Sequence, residues 1–314
     1  MSRPVPQPPV PPSGAPRAPA EAGTRAPAGV LAPAAATAAP RRRRLRPTRS
    51  LPGRLVLATV VPLALLALWQ GLGSLGALQV FVPTPTEVAV AFVRFLDPTA
   101  ASASSLPGTV GFDGEGWGHI GASVWLLVSS YVVAVAIGVP TGVALALSPL
   151  FRALTDPMVQ ALRAIPIFAW LPLAIVWFGL GTGPARFLVV VGAVFPILVA
   201  TADAVARVPR GWVETARVLG TPRRALVRRV HLPAALPGIV VGLRLGVSLG
   251  WMSVIVGELT TTRGAGVGAM MQVARQTGRL DEIVVGMVCF AVLGLLSDML
   301  LRAASAPWTR WARA

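Results

Sequence analysis

The chain has 314 residues, a formal charge of +16, 54% hydrophobic residues and only 13% charged ones. Its charges are gathered between long uncharged stretches, so the composition points away from a soluble domain and makes nucleic-acid binding a weak reading of the positive charge. One Cys and two His leave no disulfide and no plausible transition-metal site.

Residues 1–50 are rich in Pro, Ala and Arg and end in RRRRLRPTRS. They read as a disordered cytoplasmic tail. The Arg run suits a topology anchor; attraction to anionic headgroups is the alternative. It could also be the n-region of a signal peptide, with 55–69 as its apolar core. The first apolar stretch is long and no clear cleavage site follows it, so we read an uncleaved helix.

No charge occurs over 55–86, 120–151 or 164–185, and shorter apolar runs follow. A bilayer core about 30 Å thick needs roughly 20 apolar residues per helix. Spans are expected near 55–76, 119–147, 160–179, 186–206, 236–257 and 283–303. Lipid satisfies no backbone hydrogen bonds, so these spans must be helices. The fold class is an all-α polytopic membrane protein with six transmembrane helices, residues 51–314 forming the transmembrane domain.

The outer loop is placed at 77–118. Within it Thr84, Pro85 and Glu87 make a helix-start signal, and Val88, Phe92, Phe95 and Leu96 share one face of the helix that follows. A short helix on the membrane surface is expected there, and a loop over 98–118. Pro166, Pro172 and Pro196 are candidate kinks.

Residues 207–233 form a polar island between apolar stretches. Trp212–Leu219 reads as a helix ended by Gly220 in a left-handed conformation. Thr221 and Pro222 read as the cap and first position of a second helix, ending near His231 and Pro233. Glu214 is the one acid among seven Arg in 207–229, so an ion pair is expected for it. This exposed basic helix-turn-helix is suited to contact by a partner.

Gly238, Gly242, Gly246 and Gly250 recur every four residues, a stripe for close helix packing within one subunit or at an interface. Arg244 lies inside a span, where a charge suggests function, here attraction of an anionic substrate; snorkelling to the inner surface is the structural alternative. Ser248 lies beside it on the possible substrate pathway. The G-x-S-x-G at 246–250 lacks the strand-to-helix elbow and nearby His of a hydrolase, and reads as coincidence. Asp203 and Asp298 suit pairing, and Glu258 reads as a solvated helix end.

All 28 basic residues are Arg. With both termini in the cytoplasm, 22 of them fall inside and five outside, with Arg244 in a span. This matches the positive-inside rule. Without Lys the chain cannot hold a G-x-x-x-x-G-K-S/T phosphate loop, so an ATP-driven process would bind its nucleotide elsewhere.

The pattern E-x-A-x3-G-x9-V-x-L-P, carried by Glu214, Ala216, Gly220, Val230, Leu232 and Pro233, resembles the EAA loop of ATP-binding-cassette importer permeases. Thr215 and Val230 depart mildly from the family's Ala and Ile. The stretches ALRAIPIFAWLPLAIVWFGLG, FPILVATADAV and PGIVVGLRLGVSLGWMSVIVGE, with VPTPTEV, resemble the nitrate, sulfonate, taurine and bicarbonate branch. The resemblance covers about 55–312 and leaves 1–50 without a counterpart. It implies a six-helix subunit in a bacterial plasma membrane, working as a dimer with a second permease copy. It also implies a cytoplasmic ABC ATPase dimer docked on the loop and carrying ATP and Mg, and an extracytoplasmic substrate-binding protein. Membrane lipid surrounds the chain, which itself does no covalent chemistry. A secondary transporter and, further off, a polytopic membrane enzyme are the rival readings.

Overall fold

The computed structural model describes residues 51–74, 82–100, 111–260 and 264–309, and among these no strand occurs. The helices are α1 (Leu51–Ser74), α2 (Pro85–Leu96), α3 (Gly116–Leu147), α4 (Pro149–Ala164), α5 (Leu171–Phe178), α6 (Thr182–Ala206), α7 (Arg210–Val218), α8 (Arg223–Leu226), α9 (Leu232–Glu258), α10 (Val267–Thr277) and α11 (Leu280–Thr309). Among the described residues, four helical stretches are long and apolar enough to cross a membrane: 116–147, 182–206, 223–258 and 280–308. A shorter apolar helix covers Thr59–Ser74.

The continuous span expected over 160–179 is instead two helical pieces, Pro149–Ala164 and Ile167–Phe178, bent by 94°. Pro166 removes a backbone donor and forces Ile165 into an extended conformation, with ψ at 119°. Pro172 sits in the first turn of α5, where its missing donor is harmless. Pro196 lies inside unbroken α6.

α6 is the axis of the bundle, and glycines let α3 and α9 press against it. A Cβ on Gly138 or Gly142 of α3 would strike Ile197 or the Leu198 carbonyl of α6. A Cβ on Gly238, Gly242 or Gly246 of α9 would strike Ala204, Ala200 or Ile197. Gly250 meets Leu127 of α3. The stripe at 238–250 therefore packs within the subunit. Tyr131 of α3 donates to the Leu243 carbonyl of α9 at 2.7 Å.

The start of α2 follows from its sequence. Thr84 and Glu87 form a reciprocal capping box, with Glu87 Oε2 2.7 Å from the Thr84 amide. Val88, Ala91 and Phe95 are buried, with Phe92 and Leu96 packed beside them. Of the loop expected over 98–118, residues 101–110 lie outside the described residues, 98–100 make a 3-10 turn, and α3 already begins at Gly116.

Candidate functional site

The polar island at 207–233 leaves α6 and re-enters the bundle as α9. α7 ends in a Schellman closure: Gly220 N–H donates to the Arg217 carbonyl at 2.9 Å, and Thr221 N–H to the Ala216 carbonyl at 3.1 Å. Gly220 has φ +77°, a left-handed conformation that glycine adopts without strain. Thr215 Oγ1 donates to the Gly211 carbonyl at 2.8 Å.

Three details differ from the sequence expectation. The second helix starts one residue later, with Pro222 rather than Thr221 in the cap position and no side-chain cap bond. Pro233 does not end that helix. α8 passes through a π turn at Val227–His231, in which Leu232 N–H reaches the Val227 carbonyl, and continues as α9. The wider turn absorbs a proline that would press on the Arg229 carbonyl in a regular α-helix. Finally, Glu214 is exposed and joins no ion pair among the described residues. The seven Arg of the island are spread along the chain, and none reaches it.

The loop presents apolar side chains to solvent, with Val218 88% and Leu219 78% exposed. These unburied apolar groups sit on an otherwise charged element and are open to contact. Trp212 of α7 and Arg229, Val230 and Pro233 line one depression of about 350 Å³, so the start of α7 lies against the Val230–Pro233 end of the motif. Leu232 is half-buried beside it.

A cleft of about 1020 Å³ lies between the bent α4–α5 pair, α6 and α9. At the end nearer the island it carries Gln160, Arg163, Asp203 and Arg207. Deeper, it is apolar and lined by Phe168, Phe195, Leu245, Leu249 and Met252, with Ser253 at its far limit. Asp203 is the one carboxylate on this lining and stands 3.9 Å from Arg207. The loop thus joins directly the two helices that wall the cleft.

Neither Arg244 nor Ser248 lines this cleft. Arg244 turns to α11, where Asp298 takes both of its bonds and also binds Arg302 at 2.8 Å. Ser248 is exposed in mid-helix and donates to the Arg244 carbonyl at 3.1 Å, so 246–250 has no nucleophile-elbow geometry.

Glu258 corrects the sequence expectation most sharply, since it is 5% exposed rather than solvated. Ser123 donates to both of its oxygens, at 2.8 and 2.9 Å, and the Gly268 amide donates to Oε2 at 2.8 Å. The Val267 amide donates to Ser123 Oγ at 2.9 Å, and the Gly266 amide to His119 Nδ1 at 3.0 Å. With Nδ1 accepting, the His119 proton sits on Nε2 and points to the Gly111 carbonyl, 2.7 Å away. Three free amides at the start of α10 are therefore capped by side chains from α3 and α9. Only the fold brings 119, 123, 258 and 266–268 together. The available signal was a lone acid between Gly257 and the Gly-rich segment at 264–268.

A helical bundle walled around a polar-mouthed cleft, with an exposed loop joining its walls, defines a membrane transport subunit. Residues 134–310 match the family described as binding-protein-dependent transport system inner membrane component. The chain belongs to that family, and so is a multi-pass inner-membrane permease. It is 30% identical over 253 residues to the aliphatic sulfonates transport permease protein SsuC of Bacillus subtilis, covering 80% of this chain and 86% of that one. It is 30% identical over 271 residues to the taurine transport system permease protein TauC of Escherichia coli, covering 86% and 94%. It is 33% identical over 177 residues to the bicarbonate transport system permease protein CmpB of Synechococcus elongatus, covering 56% and 64%. A chain of the MetNI methionine ABC transporter is similar over 60% of this chain and 94% of that one, at 23% identity and a TM-score of 0.49.

Proposed function

We propose that this chain is the membrane-spanning subunit of an ATP-driven importer. Its cargo is a small anion of the nitrate, sulfonate, taurine or bicarbonate type, delivered by an extracytoplasmic binding protein. It works with a second permease copy and a cytoplasmic ATPase dimer, and the ATPase binds the ATP and Mg. Six passes arise from the apolar helix at 59–74, the bent α4–α5 pair and the four long helices, with both termini in the cytoplasm and the helices bathed in lipid.

The observation that carries this reading is the connectivity of the island. α7, with Glu214, Thr215 and Ala216, is closed at Gly220 and follows directly on the cleft wall α6, and α8 then runs on through the π turn into the cleft wall α9. A push on the exposed Val218–Leu219 edge reaches both walls. The similarity to sulfonate, taurine and bicarbonate permeases supports the substrate class, and the Arg residues at the cleft mouth suit an anion.

The test is reconstitution with the cognate ATPase and binding protein, reading uptake and ATP hydrolysis together. Glu214→Lys and Gly220→Val should separate ATP use from uptake. Normal uptake in both variants overturns the docking assignment. The ligand that copurifies with the binding protein identifies the cargo.

A further inference from the structure

The cleft stops short of one end of the bundle. On α9 its lining ends at Ser253, and on α6 at Val191. Beyond Ser253, by four residues or about 6 Å along the helix, Gly257 of α9 meets Ala185 of α6. A Cβ on Gly257 would stand 2.5 Å from both Cα and Cβ of Ala185. On the other flank Phe187 of α6 closes against Trp177 and Phe178 of α5, at ring-centroid distances of 5.7 and 5.5 Å. Around the Gly257 contact, Pro184 and Ala185 of α6 and Gly257 and Glu258 of α9 are all buried.

The residue after Gly257 is Glu258. Its carboxylate holds Ser123 of α3 and the start of α10 in one knot. The knot has no slack, since a Cβ on Gly266 or Gly268 would strike Glu258 itself. Neighbouring residues therefore perform two linked tasks. Gly257 sets how closely α9 approaches α6, and Glu258 ties that end of α9 to α3 and α10 so that it moves as one body.

We infer that Gly257 and Glu258 are the positioning residues of the outer seal of the transport path. Gly257 against Ala185 forms the seal, and the Glu258 knot holds it shut while the cleft is open towards the cytoplasm. The inference rests on the reading of the cleft as the path, with the island on the cytoplasmic side. It uses only polar groups satisfied within the fold and requires no bound ligand.

The chain allows a direct test, because Cys289 is its only cysteine and is buried. Met252 lines the cleft and is exposed, so Met252→Cys in a Cys289→Ala background places one thiol just inside the seal. The complete transporter, with its ATPase and without nucleotide, is treated with a charged, membrane-impermeant methanethiosulfonate from either side of the membrane. The parent should react from the cytoplasmic side only. Adding Gly257→Ala should make the thiol react from outside as well, and adding Glu258→Ala should do the same. Adding Gly238→Ala is the matched control. It inserts the same methyl between the same two helices, 2.5 Å from the Ala204 Cβ at the island end, and should leave the outside unreactive. Should Gly257→Ala fail to assemble, Ala185→Val forces the same contact apart from α6.

External protection in Gly257→Ala or Ala185→Val, with cytoplasmic labelling retained, overturns the seal. Equal external labelling in Gly238→Ala also overturns it, since general loosening would then explain the result. External protection in Glu258→Ala removes Glu258 from the assignment. A parent thiol that reacts from neither side overturns the cleft as the path, a distinct failure.

Discussion

Arg244 on α9 and Asp298 on α11 form a two-pronged pair, with Nε 2.6 Å from Oδ1 and Nη2 3.2 Å from Oδ2. The pair joins residues 54 apart in sequence, and about two turns further along α9 a second tie has Trp251 Nε1 donating to Ser297 Oγ at 3.1 Å. A charge within an apolar helix is tolerated when a partner neutralises it, and removing one partner strands the other.

Arg244→Leu should therefore lower the thermal stability of the purified permease more than Arg302→Ala, whose side chain is 63% exposed and which adds a second, outer bond to Asp298. The exchange Arg244→Asp with Asp298→Arg should recover part of the loss. A thermal melt in detergent for the four proteins checks the order, and an Arg244→Leu protein as stable as the parent contradicts it.

Gly242→Val should destabilise the bundle by about 1–3 kcal/mol through overpacking, because its first added carbon meets the Ala200 Cβ at 2.6 Å and the backbone carbonyls of α6 leave little room. Gly71→Ala should be neutral or stabilising by about 0.5–1 kcal/mol, since nothing lies within 4 Å of that position. Equal melting shifts for the two would refute a packing role for the stripe.

Gly220→Asn should keep the loop and its transport activity better than Gly220→Val. The φ of +77° suits Asn but costs a β-branched residue about 1–3 kcal/mol. There is open space around the position, so the difference reports backbone conformation and not crowding. Uptake in vesicles at matched protein levels distinguishes the two variants.

Ser123→Ala should cost about 1–3 kcal/mol, because it leaves the Val267 amide without its acceptor and removes the hydroxyl bonded to both Glu258 oxygens. Amide exchange at 266–268 should accelerate while exchange in the middle of α6 stays slow. Unchanged exchange at all these amides would mean that the cap does not hold α10.

Much of the architecture was legible from local chemistry. The apolar stretches, the capping box at Thr84–Glu87 and the turn at Gly220 each depend on residues within a few positions of one another. The errors arose where a rule about one residue met a neighbour it did not include. Pro233 reads as a stop until a π turn opens beneath it, and Glu258 reads as solvated until α3 and α10 fold over it. Glu214 was expected to find an Arg among seven, but the helix directions keep them apart.

Sequence by itself determined most of the helices and their caps, because these follow from short-range hydrogen bonding and from the demand that polar backbone groups be satisfied within the helix in lipid. The tertiary structure decided what meets what. It turned the glycine stripe inward onto α6 and spent Arg244 on Asp298. It also drew His119, Ser123 and Glu258 around three amides from a segment more than 140 residues beyond the first two. Such pairings depend on how rigid helices lean on one another, and no periodicity within a single helix records that.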